Sequence, residues 1–542
     1  MKMKRLLSLV ISAIFATGII NAATITPNQA MSIAQRFSRV NLTPNILQGN
    51  ATTLQMAYAA RNGQHIDYYA FNRGNDSGFI IVSGDDTTVP VWGYSEQGTF
   101  DINRLPCNML AWLEEYQQQL QWLRDHPDAA PRKTTTLTTS VSPLLSTIWG
   151  QGSPFNRFCP VIDSRHCVTG CLATALAQIM YYHKWPNRGE GDNSYSLTQP
   201  DGSTINVSAD FSQSYYQWDS MLDSYNVNYT SAQANAVARL MSDAGVAIYM
   251  KYGPSSSSAN YSDIMQALIA NFDYNPSIKY YLKDYYSGDW DAMLRAELDT
   301  RRPIYYSGQT NSNSGHAFVL DGYRSDGYFH VNWGWGGDCD GYFLTSLLSP
   351  TSSSNYSYNQ RAFTDIYPDK TGQGGLMLKK FITPVAPTMP ANDMRATFEV
   401  QALGGPYSGN VRVAFATKTG EDSYSWNYSK NIYIELAAGE RKTIHVYGSS
   451  TMTTGKTYYL FLINPYISIA NYYWGKVAPF VIGEWPAISG DVNGDKEVNI
   501  ADINAVIATI LGVTNDPACD VNNDTEVNIA DINAVINIIL NQ

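Results

Sequence analysis

Cys167-Val-Thr-Gly-Cys-Leu-Ala-Thr-Ala-Leu-Ala-Gln-Ile-Met-Tyr-Tyr-His183 is the stretch around which the rest of the chain is organised. Thr169 and Gly170 supply a tight turn, and the apolar residues that follow recur at helical spacing, which predicts a buried helix. These residues are Leu172, Ala175, Leu176, Ile179 and Met180. Cys171 lies in the first turn of this helix, where unpaired N–H groups and the helix dipole favour a negative charge. Its thiol is therefore expected to ionise more easily than a free thiol and to act as a nucleophile.

A histidine that can serve this thiol lies far downstream. Ser314-Gly-His-Ala-Phe-Val-Leu-Asp-Gly322 places His316 beside a strand, and Tyr328-Phe-His-Val-Asn-Trp-Gly-Trp-Gly-Gly337 follows. We expect His316 to hold the proton of the thiol and to return it to the leaving amine. Asn332, or the ring of Trp333 beside it, is predicted to orient the imidazole. Cys, then His, then Asn is the chain order of papain-like thiol peptidases.

The oxyanion of a tetrahedral intermediate also needs hydrogen-bond donors. Gln151 and the backbone N–H of Cys171 are predicted to supply them. An alternative for this region is a zinc site with the ligands Cys159, His166, Cys167 and Cys171, although their spacing fits no standard zinc knuckle. A bridge between Cys159 and Cys167 is a further alternative, because an exported protein meets an oxidising environment.

Five segments, in order, resemble the streptopain family of secreted bacterial cysteine peptidases. They are Gln151-Gly-Ser-Pro-Phe-Asn156, Thr169-Gly-Cys-Leu-Ala-Thr-Ala-Leu-Ala-Gln-Ile-Met180, Tyr252-Gly-Pro-Ser-Ser256, Gly315-His-Ala-Phe-Val319 and His330-Val-Asn-Trp-Gly-Trp-Gly-Gly337. The resemblance implies an α+β fold with a papain-like, two-lobed peptidase domain. It implies hydrolysis of peptide bonds in proteins by a secreted endopeptidase, made as an inactive zymogen, that needs no cofactor for catalysis. It also implies substrate contacts at Ser258, Gly315 and Trp333.

The chain of 542 residues is too long for one domain, and its net charge of -11 argues against nucleic acid and anionic membranes as partners. Basic residues precede an apolar run from Leu6 to Ile20, and small residues follow near Ala22. This pattern predicts a signal peptide over residues 1–22, with no other segment able to span a bilayer. We therefore expect an extracellular protein, with or without association with the cell surface.

Residues 23–134 are predicted to form an α+β inhibitory propeptide, the prodomain. The apolar residues Leu110, Leu113, Leu120 and Leu123 fall on one helix that ends before Pro127. The resemblance implies that this domain covers the active site until it is removed. The polar segment Pro131–Thr139 is predicted to be an exposed linker that is cut near Lys133. A small α+β domain without an inhibitory role is the alternative.

Residues 135–372 are predicted to be the peptidase domain, a helical lobe packed on an antiparallel sheet with a cleft between them. Residues 373–486 show short alternating runs separated by turn clusters, such as Val411, Val413 and Phe415. This pattern predicts a β-sandwich of immunoglobulin-like type, in which no chemistry is visible.

Residues 487–542 contain a repeat that resembles a dockerin, a paired calcium-loop–helix module. Oxygen-bearing side chains at loop positions one, three, five, nine and twelve suit calcium. The predicted ligands are Asp491, Asn493, Asp495, Asn499 and Asp502 in the first copy, and Asp520, Asn522, Asp524, Asn528 and Asp531 in the second. Lys496 and Thr525 replace the usual Gly at position six. The resemblance implies a cohesin-like protein or a cell-surface partner, whereas a solvated acidic turn is the alternative.

Two other classes of function fit parts of this pattern. One is a thiol acyl transferase of transglutaminase-like type, which would use the same Cys–His pair. The other is a non-catalytic, calcium-dependent surface or scaffold protein. Retention of Cys171, His316 and Gln151 together argues against the second class.

Overall fold

The computed structural model describes residues 24–42, 53–126, 131–199, 202–283, 286, 288–309, 315–348, 360–369, 375–383, 388–389, 395–403, 405–419, 424–447, 453, 456–463, 478–482, 490–493, 497–514, 516–522, 524 and 526–540. The predicted signal peptide lies outside these residues. The chain divides into two compact units, residues 1–373 and 374–542. Among the described residues, no helix is both long and apolar enough to cross a membrane.

The first part of unit one has an α+β structure, as predicted. Its elements are α1 (Pro27–Asn41), β1 (Leu54–Asn62), β2 (His65–Arg73), β3 (Phe79–Ser83), β4 (Val91–Ser95) and α2 (Cys107–Asp125). Thr26 begins α1 with a capping box, in which its side chain and that of Gln29 bond to each other's backbone N–H groups. The helix predicted from the leucine spacing is α2, which ends before Pro127 and buries Leu113, Leu120 and Leu123.

The remainder of unit one has most of its helices before Ile304 and five consecutive strands at its end. Its elements are β5 (Val161–Ile162), β6 (Arg165–His166), α3 (Cys171–His183), β7 (Asp192–Thr198), β8 (Thr204–Asp210), α4 (Ser231–Ala247), α5 (Ser262–Gln266), β9 (Lys279–Leu282), α6 (Trp290–Asp299), β10 (Ile304–Gln309), β11 (Gly315–Tyr323), β12 (Phe329–Asn332), β13 (Gly341–Phe343) and β14 (Arg361–Thr364). Helix α3 packs against both α4 and β11, so the helical lobe meets the sheet along α3.

One ten-stranded sheet runs through both parts of unit one, in the order β1-β2-β3-β4-β13-β12-β11-β10-β14-β9. The junction is the antiparallel pair β4–β13, where Tyr94 lies opposite Tyr342 and Gly93 lies opposite Phe343. A side chain on residue 93 would place its Cβ 2.3 Å from the Phe343 ring, so glycine permits the close approach. The prodomain sheet is therefore continuous with the peptidase sheet, a feature that the sequence analysis does not predict.

The linker between the two parts is less exposed than predicted. Arg132 is only 5% exposed, and its guanidinium forms an ion pair with the buried carboxylate of Asp291. The backbone N–H of Arg132 also donates to the carbonyl of Leu347 at 2.8 Å. Residues 133–140 are mostly exposed, but Val141 is buried again and exchanges backbone hydrogen bonds with Tyr323. The predicted linker, Pro131–Thr139, is therefore largely exposed over residues 133–139, whereas the prediction is wrong at Arg132.

The described residues of unit two form two sheets and two α-helices. One sheet has β15 (Gly375–Thr383), β17 (Arg395–Leu403) and β20 (Arg441–Tyr447), and the other has β16 (Thr388–Met389), β22 (Ala478–Ile482), β21 (Thr457–Ile463), β18 (Tyr407–Lys418) and β19 (Tyr424–Leu436). The predicted strand at Val411–Phe415 is confirmed as part of β18, whereas the immunoglobulin-like type stays a prediction. Helices α7 (Ile500–Ile510) and α8 (Ile529–Leu540) follow and share a small core that includes Val506 and Val535.

Candidate active site

The turn before α3 positions Cys171. Gly170 has φ of 84°, a left-handed conformation that favours glycine. A Cβ at this position would also lie 2.9 Å from the Met250 side chain and 3.1 Å from the Ser257 carbonyl oxygen. The backbone of residue 170 thus passes close to the loop at 250–257 and directs the next residue, Cys171, toward the sheet.

Cys171 lies at the interface of helix and sheet. Its sulfur is 3.4 Å from the backbone N–H of Ala317 on β11, which donates to it. The residue is only 8% exposed. Burial raises the pKa of the Cys171 thiol above its usual value, although nearby backbone N–H groups act in the opposite direction. The expectation of a readily ionised thiol is therefore wrong for this state of the chain, because desolvation outweighs the helix-start donors.

His316 is the neighbour of Ala317 on β11, so the structure brings the predicted His to the predicted Cys. Nδ1 of His316 lies 3.5 Å from the sulfur of Cys107, the first residue of α2. Burial lowers the pKa of His316 to about 4, which keeps the ring neutral at ordinary pH. Burial and the nearby Cys171 together raise the pKa of Cys107 to about 11. A thiol of the prodomain thus occupies the site beside the imidazole.

Asn332 ends β12, and its side chain bonds to the helical lobe. Its Nδ2 donates to the carbonyl of Thr147 at 2.7 Å, and its Oδ1 accepts from Nε2 of Gln178 at 3.0 Å. Oδ1 also accepts from the N–H of Gly334. In this state Asn332 ties β12 to α3, and its predicted role toward His316 stays a prediction.

Trp333 is fully buried, so its predicted contact with substrate is not available in this state. The centroid of its ring lies 4.8 Å from that of Phe318 and 6.2 Å from that of Trp112 on α2. Its backbone carbonyl accepts from Nδ2 of Asn108 at 2.7 Å. Because Trp112 and Asn108 belong to the prodomain, removal of that domain would uncover this side of Trp333.

Gln151 lies close to Cys171 through a backbone contact. The N–H of Thr169, two residues before Cys171, donates to the carbonyl of Gln151 at 3.1 Å. The side-chain Nε2 of Gln151 is buried, and no described residue accepts a hydrogen bond from it. A buried donor without an acceptor is costly, and the predicted role of Gln151 toward an oxyanion stays a prediction.

The two other predicted substrate contacts, Ser258 and Gly315, lie in different surroundings. Ser258 is exposed and bonds with Lys251 through its backbone, whereas the hydroxyl of Ser257 donates to the carbonyl of Val168 at 2.7 Å. Gly315 begins β11 beside Tyr261, whose hydroxyl would lie 2.6 Å from a Cβ at this position. Glycine at 315 therefore allows Tyr261 to pack against the backbone next to His316.

Sequence reasoning missed the prodomain residues at the site. The helix pattern named only leucines, and the one signal for Cys107 was that five of the six cysteines remain beside Cys171, so that at least one of the five is unpaired. Cys159 and Cys167 are buried free thiols. No group of three or more His, Cys, Asp or Glu side chains that could hold a metal occurs among the described residues, so the zinc alternative gains no support.

The C-terminal loops are organised by their last acidic residues. Asp502 accepts from the N–H groups of Val492, Asn493 and Asn499, and Asp531 accepts from those of Val521, Asn522 and Asn528. Both carboxylates are fully buried. Asp495, Lys496 and Thr525 lie outside the described residues.

Comparison with known protein families gives a match for three regions of the chain. Residues 149–343 match the peptidase C10 family, residues 22–120 match the Spi protease inhibitor family, and residues 489–540 match the dockerin type I domain. Streptopain of Streptococcus pyogenes is 35% identical over 308 residues, which cover 54% of this chain and 76% of that protein. The chain belongs to the peptidase C10 family.

Two further relatives extend the match. The thiol protease/hemagglutinin PrtT of Porphyromonas gingivalis is 30% identical over 420 residues, which cover 73% of this chain and 48% of that protein, so the chain spans about half the length of this relative. The structure of a prointerpain A fragment of Prevotella intermedia is 32% identical, with a TM-score of 0.51, and covers 58% of this chain and 100% of that fragment. The chain is a cysteine endopeptidase with a zymogen-type prodomain, and such enzymes need no cofactor for catalysis.

Proposed function

We propose that Cys171 is the nucleophile and His316 the general acid and base of a secreted endopeptidase. The observation that carries this proposal is the convergence of Cys171 and His316, from α3 and β11, at the 3.4 Å contact between the Cys171 sulfur and the N–H of Ala317. The dyad becomes competent when the prodomain leaves, because Cys107 then no longer occupies the side of the His316 ring.

The reaction proceeds through an acyl-enzyme. With the proton of the thiol on His316, the Cys171 sulfur attacks the scissile carbonyl carbon and forms a tetrahedral intermediate. Nε2 of Gln151 and the backbone N–H of Cys171 donate to its oxyanion. His316 then gives the proton to the leaving amine, and a water activated by His316 hydrolyses the thioester. Asn332 is proposed to orient the imidazole once the ring has turned.

The proposed domains are a signal peptide at 1–22, a prodomain at 23–134, a peptidase domain at 135–372, a β-sandwich at 373–486 and a dockerin-like repeat at 487–542. Substrate is proposed to contact the region of Ser258, Gly315 and the uncovered side of Trp333. The signal peptide directs the chain to the extracellular space.

The C-terminal repeat is proposed to bind two calcium ions and to dock the enzyme to a cohesin-like protein or another cell-surface partner. The oxygen ligands of its two loops fit calcium, which takes six to eight oxygen atoms. The buried carboxylates of Asp502 and Asp531 each bind N–H groups at the start of their loops, so the loops are already folded back on their closing ligands. Bound calcium would neutralise the carboxylates that crowd each loop.

Activity on a denatured protein tests the dyad. Processed wild-type enzyme should cleave it, and Cys171→Ala should not, whereas Cys519→Ser, a thiol of the other unit, should leave cleavage unchanged. Sequencing of the new termini then defines the cleavage preference. Cleavage by the Cys171→Ala variant at the wild-type rate would reject the proposed nucleophile, and amine incorporation in excess of hydrolysis would favour an acyl transferase.

A further inference from the structure

Two thiols from different domains lie against consecutive residues of one strand. The Cys107 sulfur is 3.5 Å from Nδ1 of His316, and the Cys171 sulfur is 3.4 Å from the backbone nitrogen of Ala317. Cys171 is close enough that its charge would raise the pKa of Cys107. Cys107 is partly exposed to solvent, although its surroundings desolvate the thiol enough to raise its pKa, whereas Cys171 is buried.

The start of α2 is held firmly at this place. The residue after Cys107, Asn108, is itself buried and bonds to the carbonyl of Trp333. One turn later, Trp112 packs edge-on against Phe318, with ring centroids 5.4 Å apart. Cys107 is therefore presented to the dyad from a fixed helix terminus that two anchors attach to the peptidase domain.

We propose that Cys107 and Cys171 form a reversible disulfide that locks the zymogen under oxidising conditions. The proposal rests on the proposed function, since the locked residue is the proposed nucleophile. Rotation of the Cys107 side chain away from His316 would direct its sulfur toward Cys171. A disulfide requires the two Cα atoms to lie about 4.4–6.8 Å apart, so the proposal requires the first residues of α2 and α3 to lie within this range when the bond forms.

Formation of this bond uses an external low-molecular-weight disulfide as the oxidant. The exposed Cys107, as thiolate, attacks one sulfur of that disulfide, forms a mixed disulfide and releases one thiol. The Cys171 thiolate then attacks the sulfur of Cys107, forms the protein disulfide and releases the second thiol. Each released thiolate takes up one proton, so the two protein thiols are oxidised and the external disulfide is reduced to two thiols.

The lock would act independently of linker cleavage. A cut within residues 133–140 separates the two domains in the chain, but a Cys107–Cys171 bond would keep the prodomain covalently attached over the site. Release of activity then needs two events, cleavage of the linker and transfer of electrons from a thiol reductant. The enzyme would thus stay inactive in an oxidising medium even after processing.

Peptide mapping tests the bond without reference to activity. Full-length His316→Ala zymogen, which keeps both thiols and cannot process itself, is incubated with oxidised glutathione, alkylated and digested without reduction. We expect a peptide that links Cys107 to Cys171. The link should be absent when Cys107→Ser is added and present when Cys519→Ser is added instead. Cys107 found only as an adduct with glutathione, or unmodified, would overturn the proposal.

Activity measurements then show whether the bond is a lock, on zymogen that is oxidised first and has its linker cut afterwards. After oxidation, the wild type should need a dithiol reductant for at least a tenfold gain in activity, and a non-reducing gel should show the prodomain still attached. The Cys107→Ser enzyme carries the same Cys171, so it controls for direct oxidation of the nucleophile, and it should gain less than twofold. An equal gain in both would overturn the lock and leave the proposed function intact. Absence of hydrolysis in both reduced enzymes would reject the proposed function, whereas the mapped peptide decides the bond separately.

Discussion

Gly93 of the prodomain lies directly opposite Phe343 of the peptidase domain, in the pair of strands that joins their two sheets. The prodomain is therefore attached in two ways, by its helix over the active site and by a shared sheet. A Cβ at residue 93 would lie 2.3 Å from Cδ1 of Phe343, so this junction is sensitive to a single methyl group.

Gly93→Ala should weaken the hold of the prodomain on the peptidase domain. Overpacking of a tight site typically costs about 1–3 kcal/mol, and here the strain falls on the strand junction. The variant zymogen should unfold at a lower urea concentration and process itself sooner than the wild type. A smaller partner should relieve the strain, so we expect Gly93→Ala with Phe343→Leu to recover part of the loss. Equal stability of Gly93→Ala and wild type would show that the strand junction accommodates the added methyl group without a cost in free energy.

The ion pair between Arg132 and Asp291 predicts a large effect of Asp291→Asn. Removal of one member of a buried pair leaves the other charge uncompensated and costs on the order of 3–5 kcal/mol. The variant should lose this much free energy of unfolding in urea denaturation of the zymogen. Asp219→Asn is the matched control, since the Lys184–Asp219 pair is exposed and long at 3.5 Å, and its loss should change stability by less than about 1 kcal/mol. Similar effects of the two substitutions would contradict the structural role of Arg132.

Processing should change the reactivity of Cys171 toward alkylating agents. Burial raises the pKa of this thiol in the zymogen, so at neutral pH it is protonated and poorly nucleophilic. After the prodomain leaves, we expect a thiolate paired with an imidazolium. Each unit by which the pKa falls increases the thiolate fraction about tenfold. Rates of labelling by iodoacetamide at several pH values, read by peptide mass, should be at least tenfold higher in the processed enzyme near neutrality. Equal rates in both forms would show that the prodomain does not control ionisation.

Asp340 predicts a specific dependence of stability on pH. Burial raises the pKa of this carboxyl to about 7, so the folded chain binds a proton that the unfolded chain releases near pH 4. Its contribution to stability is present at low pH and is lost as the pH rises through the folded pKa. Asp340→Asn keeps an oxygen for the N–H of Trp333, which donates to Oδ1, and carries no charge. Relative to the wild type, the thermal stability of the variant should increase as the pH rises from about 4 to about 7, and the difference should stay constant at higher pH.

The comparison of variant with wild type in that experiment is essential, because other groups titrate in the same range. Burial lowers the pKa of both His183 and His316 to about 4, and these rings favour the folded chain as the pH rises through that range. His183 and His316 are present in both proteins, so their contributions to stability cancel when Asp340→Asn is compared with the wild type. A difference that does not change with pH would refute the assignment to Asp340.

Removal of calcium should destabilise the C-terminal repeat and leave peptidase activity unchanged. A ligand that binds only the folded form stabilises it by about 2.7 kcal/mol at one hundred times its Kd. Full-length protein should therefore show a thermal transition that moves to higher temperature with calcium and back with chelator. Asp491→Ala with Asp520→Ala should abolish this shift. A shift that persists in the double variant would place the calcium elsewhere.

The sequence analysis predicted elements whose periodicity is local. Apolar spacing predicted α3 and α2. The chemistry of the dyad was also predicted, since the order of Cys, His and Asn and the five segments do not depend on knowing how the domains pack.

Features that arise from contact between domains were not predictable from local patterns. The thiol of Cys171 was expected to ionise, but the prodomain buries it and desolvation controls its pKa. Arg132 lies in a polar run that resembles any exposed linker, and only the position of Asp291, far along the chain, explains its burial. The thiol of Cys107 is relevant to the site only because it contacts His316, and the local sequence does not show that contact.

The shared packing around Trp333 has a consequence for the direction of activation. Trp112 contributes to the same apolar core as Phe318 and Trp333, so a segment that is proposed to be removed on activation supplies part of the interior of the zymogen. Once the linker is cut and the segment diffuses away, the aromatic surface rehydrates, and the cut chain cannot recover the intramolecular concentration that held it in place. Activation is therefore expected to be irreversible, because the released prodomain does not return to its place on the peptidase domain.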